Sequence, residues 1–559
     1  MRVAKLIMAA ALPGALAVVL TSQSSHLTTA STVVYAAGRD RGDDHDRNLD
    51  RDLEAALSAA GFTGEIEQSF QRRIKRNLGR SIDPKLANLG RLLWFDKLQS
   101  LGRDNACGGC HSPTNGMGDS QPLAIGVQNN NVVGSHRDGP RNQRRTPTVV
   151  NAALYPTVMW NGRFASVAHD AFDNSLGFRF PAFPVPEDSR APNRPVRFSP
   201  AENTLHGVTH LLQAQAHVPA TELAEVAGFK GTCPNGVPDP WLGPRFCQFD
   251  DGAGPGRPIP PPDSIGFRNE PIRQETLGAL NASAAYRQLF RDVFPETGPP
   301  ENRPIDFFMF GKAIAEFEFT LVFADAPLDR FARGNVDSMT GSQKRGALVF
   351  FGKAKCVECH KVAGDSNEMF SDFEEHVIGV PQNAPIFGAR SGNVIFSGPG
   401  EDEDFGGEER TGDRADRYKF RTAPLRNLGV SSAFFHNGAY TRLDDAVRFH
   451  LSVVESARRY SPVSAGLPGD LTHRVGPPVP KALLDGRVKI PIRLADEEFH
   501  DLVHFIENGL LDQRVKKANL CDLIPASVPS GLPPMIFEGC PRPFGESEAI
   551  RSTAPPPVP

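Results

Sequence analysis

The amino-acid sequence predicts a mostly α-helical protein built as two related halves with long loops. Three observations carry that prediction. First, an apolar stretch with helical character runs into a Cys-x-x-Cys-His pentapeptide twice: Gly90-Arg91-Leu92-Leu93-Trp94-Phe95 precedes Cys107–His111, and Gly346-Ala347-Leu348-Val349-Phe350-Phe351 precedes Cys356–His360. Second, each pentapeptide is followed by a landmark of common spacing. Thr146-Pro147-Thr148-Val149-Val150-Asn151 leads to Trp160-Asn161-Gly162-Arg163, and Thr422-Ala423-Pro424-Leu425-Arg426-Asn427 leads to His436-Asn437-Gly438, so nine positions separate asparagine from ring in both. Recurrence of that kind argues internal duplication. Third, glycine (52) and proline (49) are plentiful, which puts much of the chain in loops.

Taken in order, the chain opens on Arg2 and Lys5, then an apolar run from Leu6 to Leu20, then small residues with a cleavage site at Val34-Tyr35-Ala36-Ala37. The run is short for a membrane span, so residues 1–36 read as a secretory signal peptide and the mature chain as a periplasmic protein with no stable membrane insertion. Residues 37–85 form an N-terminal extension whose charged part, Arg39–Asp52, is expected to be flexible. Residues 86–326 make the first domain, closed by an apolar helix from Phe307 to Leu321. Within it Gly231–Pro262 is a Gly/Pro-rich loop stapled by cysteines. A linker around Pro327–Ser338 leads into the second domain, 327–516. There Thr340 is placed to cap the first helix, and Leu494, Phe499, Leu502, Val503, Ile506 and Leu510 fall on one face of the last. Residues 517–559 form a Pro-rich tail, disordered after Cys540, and the acidic run Glu401–Asp404 reads as a solvated loop.

The pentapeptides carry the chemistry. Cys107, Cys110 and His111, and again Cys356, Cys359 and His360, have the pattern in which two thiols add to the haem vinyl groups and the next histidine ligates the iron. From this composition one such match is expected about 0.003 times by chance, and two occur. Zinc would want further Cys or His at short spacing, and a thioredoxin-like pair would not need the histidine. The chain is therefore read as two cytochrome-c-like domains with two covalently bound haem c groups. The remaining cysteines, Cys233/Cys247 and Cys521/Cys540, are expected to pair locally in an oxidising compartment, each closure worth about 3 kcal/mol, although sequence alone leaves the connectivity open. No methionine lies between Met369 and Met535, which disfavours Met ligation of the second iron. The formal net charge of −4 gives no sign of a nucleic-acid partner.

On these motifs, from about Leu86 to Leu511, the chain resembles the bacterial di-haem cytochrome c peroxidase superfamily, which includes the MauG-like enzymes. The resemblance implies a peroxide-reactive N-terminal haem and an electron-receiving C-terminal haem. The family's pocket residues Gln, Pro and Glu match Gln215, Pro219 and Glu225 in spacing, after an insertion. Its bridging tryptophan matches Trp160, and the distal ligand of its second haem falls on His450, with His436 the competitor. Glu225 would then be the acid–base group that moves the peroxide proton. Set against this, Glu222 and Glu225 also fit one surface-facing amphipathic helix, and Trp160 fits core packing. Two departures stand out. The region Ala124–Gln128 lacks the histidine that many members use to cap the first haem, leaving His136 as the nearest later candidate. Arg145 stands where the family's calcium site has asparagine, which argues against calcium between the domains although Thr422 and Pro424 match its other side.

The resemblance implies reduction of hydrogen peroxide to water with electrons from a small periplasmic donor, a cytochrome c or a cupredoxin. The alternatives are MauG-like oxidation of a protein or organic substrate through high-valent iron, and a non-catalytic di-haem electron carrier. Glu225 with its Gln and Pro argues against the carrier.

Overall fold

The computed structural model describes residues 37–179, 198–240, 244–252, 256–264, 267–295, 304–383, 403–473 and 475–541. The expected signal peptide, Glu401 and Asp402, and residues 542–559 of the Pro-rich tail lie outside them. Residues up to Arg47 form a unit of their own, within which the structure describes the start of one helix. Asn48 onward forms a single compact unit, and both Cys-x-x-Cys-His segments belong to it.

Helices dominate, and the two that matter most lead into the pentapeptides. Pro84–Phe95 starts where Asp83 accepts the backbone N–H groups of Lys85 and Leu86, with proline at the first position, where its missing N–H costs nothing. Gly341–Phe351 starts at a capping box in which Thr340 and Gln343 satisfy each other's backbone donors. Each packs on a partner helix, Phe307–Phe319 and Asp496–His504 respectively, and each contact turns on a glycine. A Cβ at Gly90 would collide with the Ala313 carbonyl and sit 2.9 Å from Phe317 Cβ. A Cβ at Gly346 would collide with the Asp501 carbonyl and sit 2.8 Å from Phe505 Cβ. Only a residue without a side chain lets these backbones approach so closely.

The asparagine landmarks repeat as well. Asn151 and Asn427 both adopt left-handed backbone, at φ 66° each. The Asn151 N–H donates to Leu321 O (3.0 Å) and its Oδ1 accepts from Phe323 N (2.7 Å); the Asn427 N–H donates to Leu510 O (3.0 Å) and its Oδ1 accepts from Asp512 N (2.8 Å). Each asparagine thus ties its loop to the chain leaving the last helix of its half.

Strands are few and short. Thr157–Val158, Phe164–Ser166 and Phe178–Arg179 form an antiparallel sheet around the Trp160 turn, and Glu375–His376 pairs antiparallel with Phe420–Arg421. A larger core gathers Phe70, Trp94, Phe310, Phe317 and Phe319, and a second gathers Leu57, Phe350, Phe370, Phe499 and Phe505.

Several expectations are corrected here. Arg39–Asp52 lies within a helix, Ala37–Ala60, whose Leu53 and Leu57 are buried in the second core, while Phe70 and Ile74 of the Ile66–Leu78 helix are buried in the first. Residues 53–74 of the extension are therefore held by apolar contacts to both. The linker segment forms a helix, Pro327–Ala332, with Leu328, Asp329 and Phe331 buried. Asp329 makes a two-pronged ion pair with Arg426 (2.7 Å on both arms), both side chains almost fully enclosed. Asp404, read as solvated, is buried against Arg144, whose guanidinium also meets Glu409. Finally, the chain after 517 folds back: Ile536–Phe537 pairs in parallel with Val132–Val133, and Met535 packs beside Gly109.

Candidate di-haem site

Two cavities lie against the two pentapeptides. The first, about 160 Å³, is lined by Cys107, Cys110 and His111 together with Trp160, Arg163, Gln215, Pro219, Glu225 and Glu318. The second, about 260 Å³, is lined by Cys356, Cys359, His360 and His450. Trp160, Tyr155, Arg145, Thr146–Thr148 and Arg421 line both, and so form the wall between them.

Local sequence explains the pentapeptide geometry. In the first, a Cβ at Gly108 would press to 2.8 Å on the Phe95 ring, and one at Gly109 would strike Asn105 Oδ1, so the two intervening residues must be small. The second carries Val357 and Glu358 instead, and Cys356 and Cys359 stay partly exposed. Burial pushes the thiols up, Cys107 to about 12 and Cys110 to about 11.

Three histidines offer one ring nitrogen each. His111 Nδ1 bonds to Pro147 O, His360 Nδ1 to Phe370 O, and His450 Nδ1 to Ala446 O, all at 2.9 Å. A carbonyl on Nδ1 fixes the tautomer and leaves Nε2 as the ligand atom, the arrangement metal-bound histidines use. Burial holds His111 and His360 down at about 4, which keeps both rings neutral. The His360 and His450 ring centroids are 6.2 Å apart. Two metal–nitrogen bonds of about 2 Å plus two ring radii of about 1.1 Å sum to about the same distance. The donor set and its spacing therefore fit a haem iron between His360 and His450, and the paired thiols fit its attachment. Among the described residues lining the first cavity, His111 is the only histidine.

The distal residues named from sequence come together in the first cavity. Gln215 ends the helix Leu211–Gln215, Pro219 opens a tight turn, and Glu225 sits in a π-helical turn, Leu223–Ala227. This turn replaces the amphipathic surface helix considered for Glu222 and Glu225, and Glu222 is wholly buried. Burial and the neighbouring Glu222 carboxylate push Glu225 up to about 7, while Arg163 pulls it down. The turn is held from outside: Asn105 Nδ2 donates to Glu225 O at 2.6 Å, Gly126 packs on the Ala224 carbonyl, and Phe229, together with Phe246 and Phe249 of the stapled loop, forms an apolar cluster with Leu223 and Ala224. The loop's cysteines, Cys233 and Cys247, lie at disulfide distance with Cα atoms 4.9 Å apart, as do Cys521 and Cys540 at 5.5 Å.

Other candidates resolve differently. His136 is on the surface, bonded to Glu538, far too exposed to serve as a distal group. His436 is buried and stacked on Phe420 at 3.6 Å, with its ring facing the second cavity beside Asp404. Arg145 is buried, donating to the Gln121 and Asp119 carbonyls and to Ser432 Oγ. Trp160 Nε1 donates to Arg145 O at 2.7 Å. Sequence reasoning missed Arg163, Glu222, Glu318 and Arg421. Glu318 lies one residue from the end of an apolar helix, and burial alone pushes it up to about 8; an acidic residue inside an apolar helical run was the available signal.

Residues 84–337 match the family model of the di-haem cytochrome c peroxidases. Cytochrome c551 peroxidase of Pseudomonas aeruginosa is 24% identical over 370 residues, covering 66% of this chain and 72% of that protein. Methylamine utilization protein MauG of Methylophilus methylotrophus is 23% identical over 368 residues, with the same coverages of 66% and 72%. A solved MauG-like protein associated with microbial copper homeostasis aligns with a TM-score of 0.47 at 18% identity, over 78% of this chain and 92% of that one. Residues 84–337 are thus similar to the di-haem cytochrome c peroxidases, and the wider chain is similar to proteins named cytochrome c peroxidase and MauG. Among the described residues no helix is long and apolar enough to cross a membrane.

Proposed function

We propose that the chain is an exported periplasmic enzyme that holds two covalently attached haem c groups and reduces hydrogen peroxide to water. The observation that carries this reading is the first cavity, where one histidine ligand shares an enclosed space with a carboxyl group near neutral pKa. The paired glycines and asparagines described above support two halves related by duplication.

Bound at Cys107, Cys110 and His111, haem supplies the iron at which the O–O bond of peroxide is cleaved and through which electrons arrive. The chain's residues do the rest. Gln215 and Pro219 shape the space in which peroxide sits. Glu225, ionised above about pH 7, takes the proton from one peroxide oxygen and returns it to the other, so that the leaving group departs as water. Two electrons and two protons convert one peroxide into two waters. The electrons come singly from a small cytochrome c or cupredoxin. They enter at the partly exposed Cys356–Cys359 side, where His360 and His450 hold the second haem, and pass the wall containing Trp160.

A second reading, oxidation of a protein or organic substrate in the MauG manner, is favoured by the single histidine of the first cavity and the histidine pair of the second. Pyridine haemochrome and intact mass test the cofactor, with two covalent haems expected. Peroxide titration with optical and EPR spectra separates the activities: rapid turnover with reduced cytochrome marks the peroxidase, and a long-lived two-equivalent oxidised state marks the protein oxidant. One haem per chain, or bound zinc, would overturn both.

A further inference from the structure

Buried arginines in this chain mostly have acidic partners. Arg144 meets Asp404 and Glu409, and Arg426 meets Asp329, and these carboxylates hold both guanidinium groups above their ordinary pKa. Arg421 is different. It is 4% exposed, yet no carboxylate among the described residues pairs with it. Glu375, its register partner across the short sheet, is bonded to Arg410. Of five guanidinium N–H donors, the described partners use two: Nε donates to Met159 O at 3.0 Å, and one terminal nitrogen donates to Thr422 O at 3.3 Å. The Tyr155 and Phe373 rings lie 5.8 and 5.5 Å away and offset the charge only in part. Burial accordingly pushes Arg421 down to about 10.

A buried cation with spare donors needs an anion, because the cost of desolvating it is otherwise unrecovered. Arg421 lines both cavities, so the anion belongs to what fills them. Arg145 lines both as well, but its terminal nitrogens are committed to the carbonyls of Gln121 and Asp119 and to serine hydroxyls. Haem carries two propionate carboxylates, the only anionic groups it would bring to this wall.

We propose that Arg421 is a counter-charge shared by propionate carboxylates of both haems, so that one side chain sets the potential of the two irons together. The proposal rests on the di-haem reading above. Its second part follows from electrostatics: a fixed positive charge in a low-dielectric wall disfavours the oxidised, more positive iron on either side.

The test is redox titration of both haems by optical spectroelectrochemistry in wild type, Arg421→Gln and Arg421→Lys, each first assayed for haem content. Arg421→Gln should lower both midpoint potentials by at least a tenfold change in the oxidised-to-reduced ratio, or about 59 mV for a one-electron couple. Arg421→Lys keeps the charge but loses the Nε bond to Met159 O. It should load two haems and keep both potentials within a threefold change of wild type. If the residue merely anchors the Trp160 turn, the two variants will behave alike, and the proposal fails. Movement of one haem alone overturns the sharing. If Arg421→Gln loads no haem, Arg421→Lys decides, and its failure to restore loading and potentials overturns the proposal. A wild type without two haems overturns instead the reading on which the proposal stands.

Discussion

Replacing Glu225 by glutamine keeps the shape of the first cavity and removes its proton carrier. The effect on rate follows from chemistry: loss of a positioned acid–base group typically costs a factor of about 10² to 10⁴. The effect on pH follows from the structure. Burial and Glu222 raise the Glu225 carboxyl from 4.5 to about 7, so it accepts a proton only above that pH. The wild-type rate of reaction with peroxide, read by stopped-flow absorbance of the haem, should rise with pH up to about 7 and level off. In Glu225→Gln that limb should disappear with the rate. Stability should move the other way. A carboxyl whose folded pKa is raised stabilises the fold fully below about 4.5 and loses that contribution as pH rises through about 7. The loss amounts to at most about 3.5 kcal/mol at about 1.4 kcal/mol per pH unit. Glu225→Gln should therefore melt higher than wild type at pH 8 and equally at pH 4. A variant that reacts at the wild-type rate, or that shows the same rising limb, would refute the assignment of Glu225, and no histidine in the described lining could take its place.

Three further outcomes test the rest of the site and its frame. His450→Met should raise the midpoint potential of the second haem, since thioether ligation favours the ferrous state, and His450→Gly should open that haem to added imidazole in optical titration; an unchanged second-haem spectrum in both would exclude His450 as ligand. Asp329→Ala leaves the Arg426 guanidinium buried without its partner and should cost about 3–5 kcal/mol in denaturant unfolding, whereas a loss under 1 kcal/mol would mean the pair is solvated in solution. Gly346→Ala forces a methyl onto the Asp501 carbonyl and should cost at least about 1–3 kcal/mol, with a spectral change confined to the second haem; Gly90→Ala should do the same at the first.

Much of the site was legible because its parts are covalent or adjacent in the chain. Cys107–His111 and Cys356–His360 declare themselves by pattern, and Asn151 and Asn427 by spacing. The apolar faces of Pro84–Phe95, Gly341–Phe351 and Asp496–His504 follow from periodicity, and Thr340 from capping chemistry. The failures share one cause. Arg39–Asp52 was read as flexible and falls within a helix, and Asp404 was read as solvated and is buried, because local composition cannot see a partner hundreds of residues away, such as Arg144 for Asp404.

By itself, then, the sequence determined that this protein is helix-rich, has two Cys-x-x-Cys-His sites in related settings, and offers Gln215, Pro219 and Glu225 at a suggestive spacing. Tertiary structure decided which of those residues share a cavity. It placed Glu225 on a π-helical turn beside Glu222, set His450 opposite His360 at 6.2 Å, sent His136 to the surface, and enclosed Arg421 between two cavities. The division is physical. Ligand type and helical period are short-range properties carried within a few residues. Burial, which sets pKa and the need for a counter-charge, depends on segments brought together from distant parts of the chain.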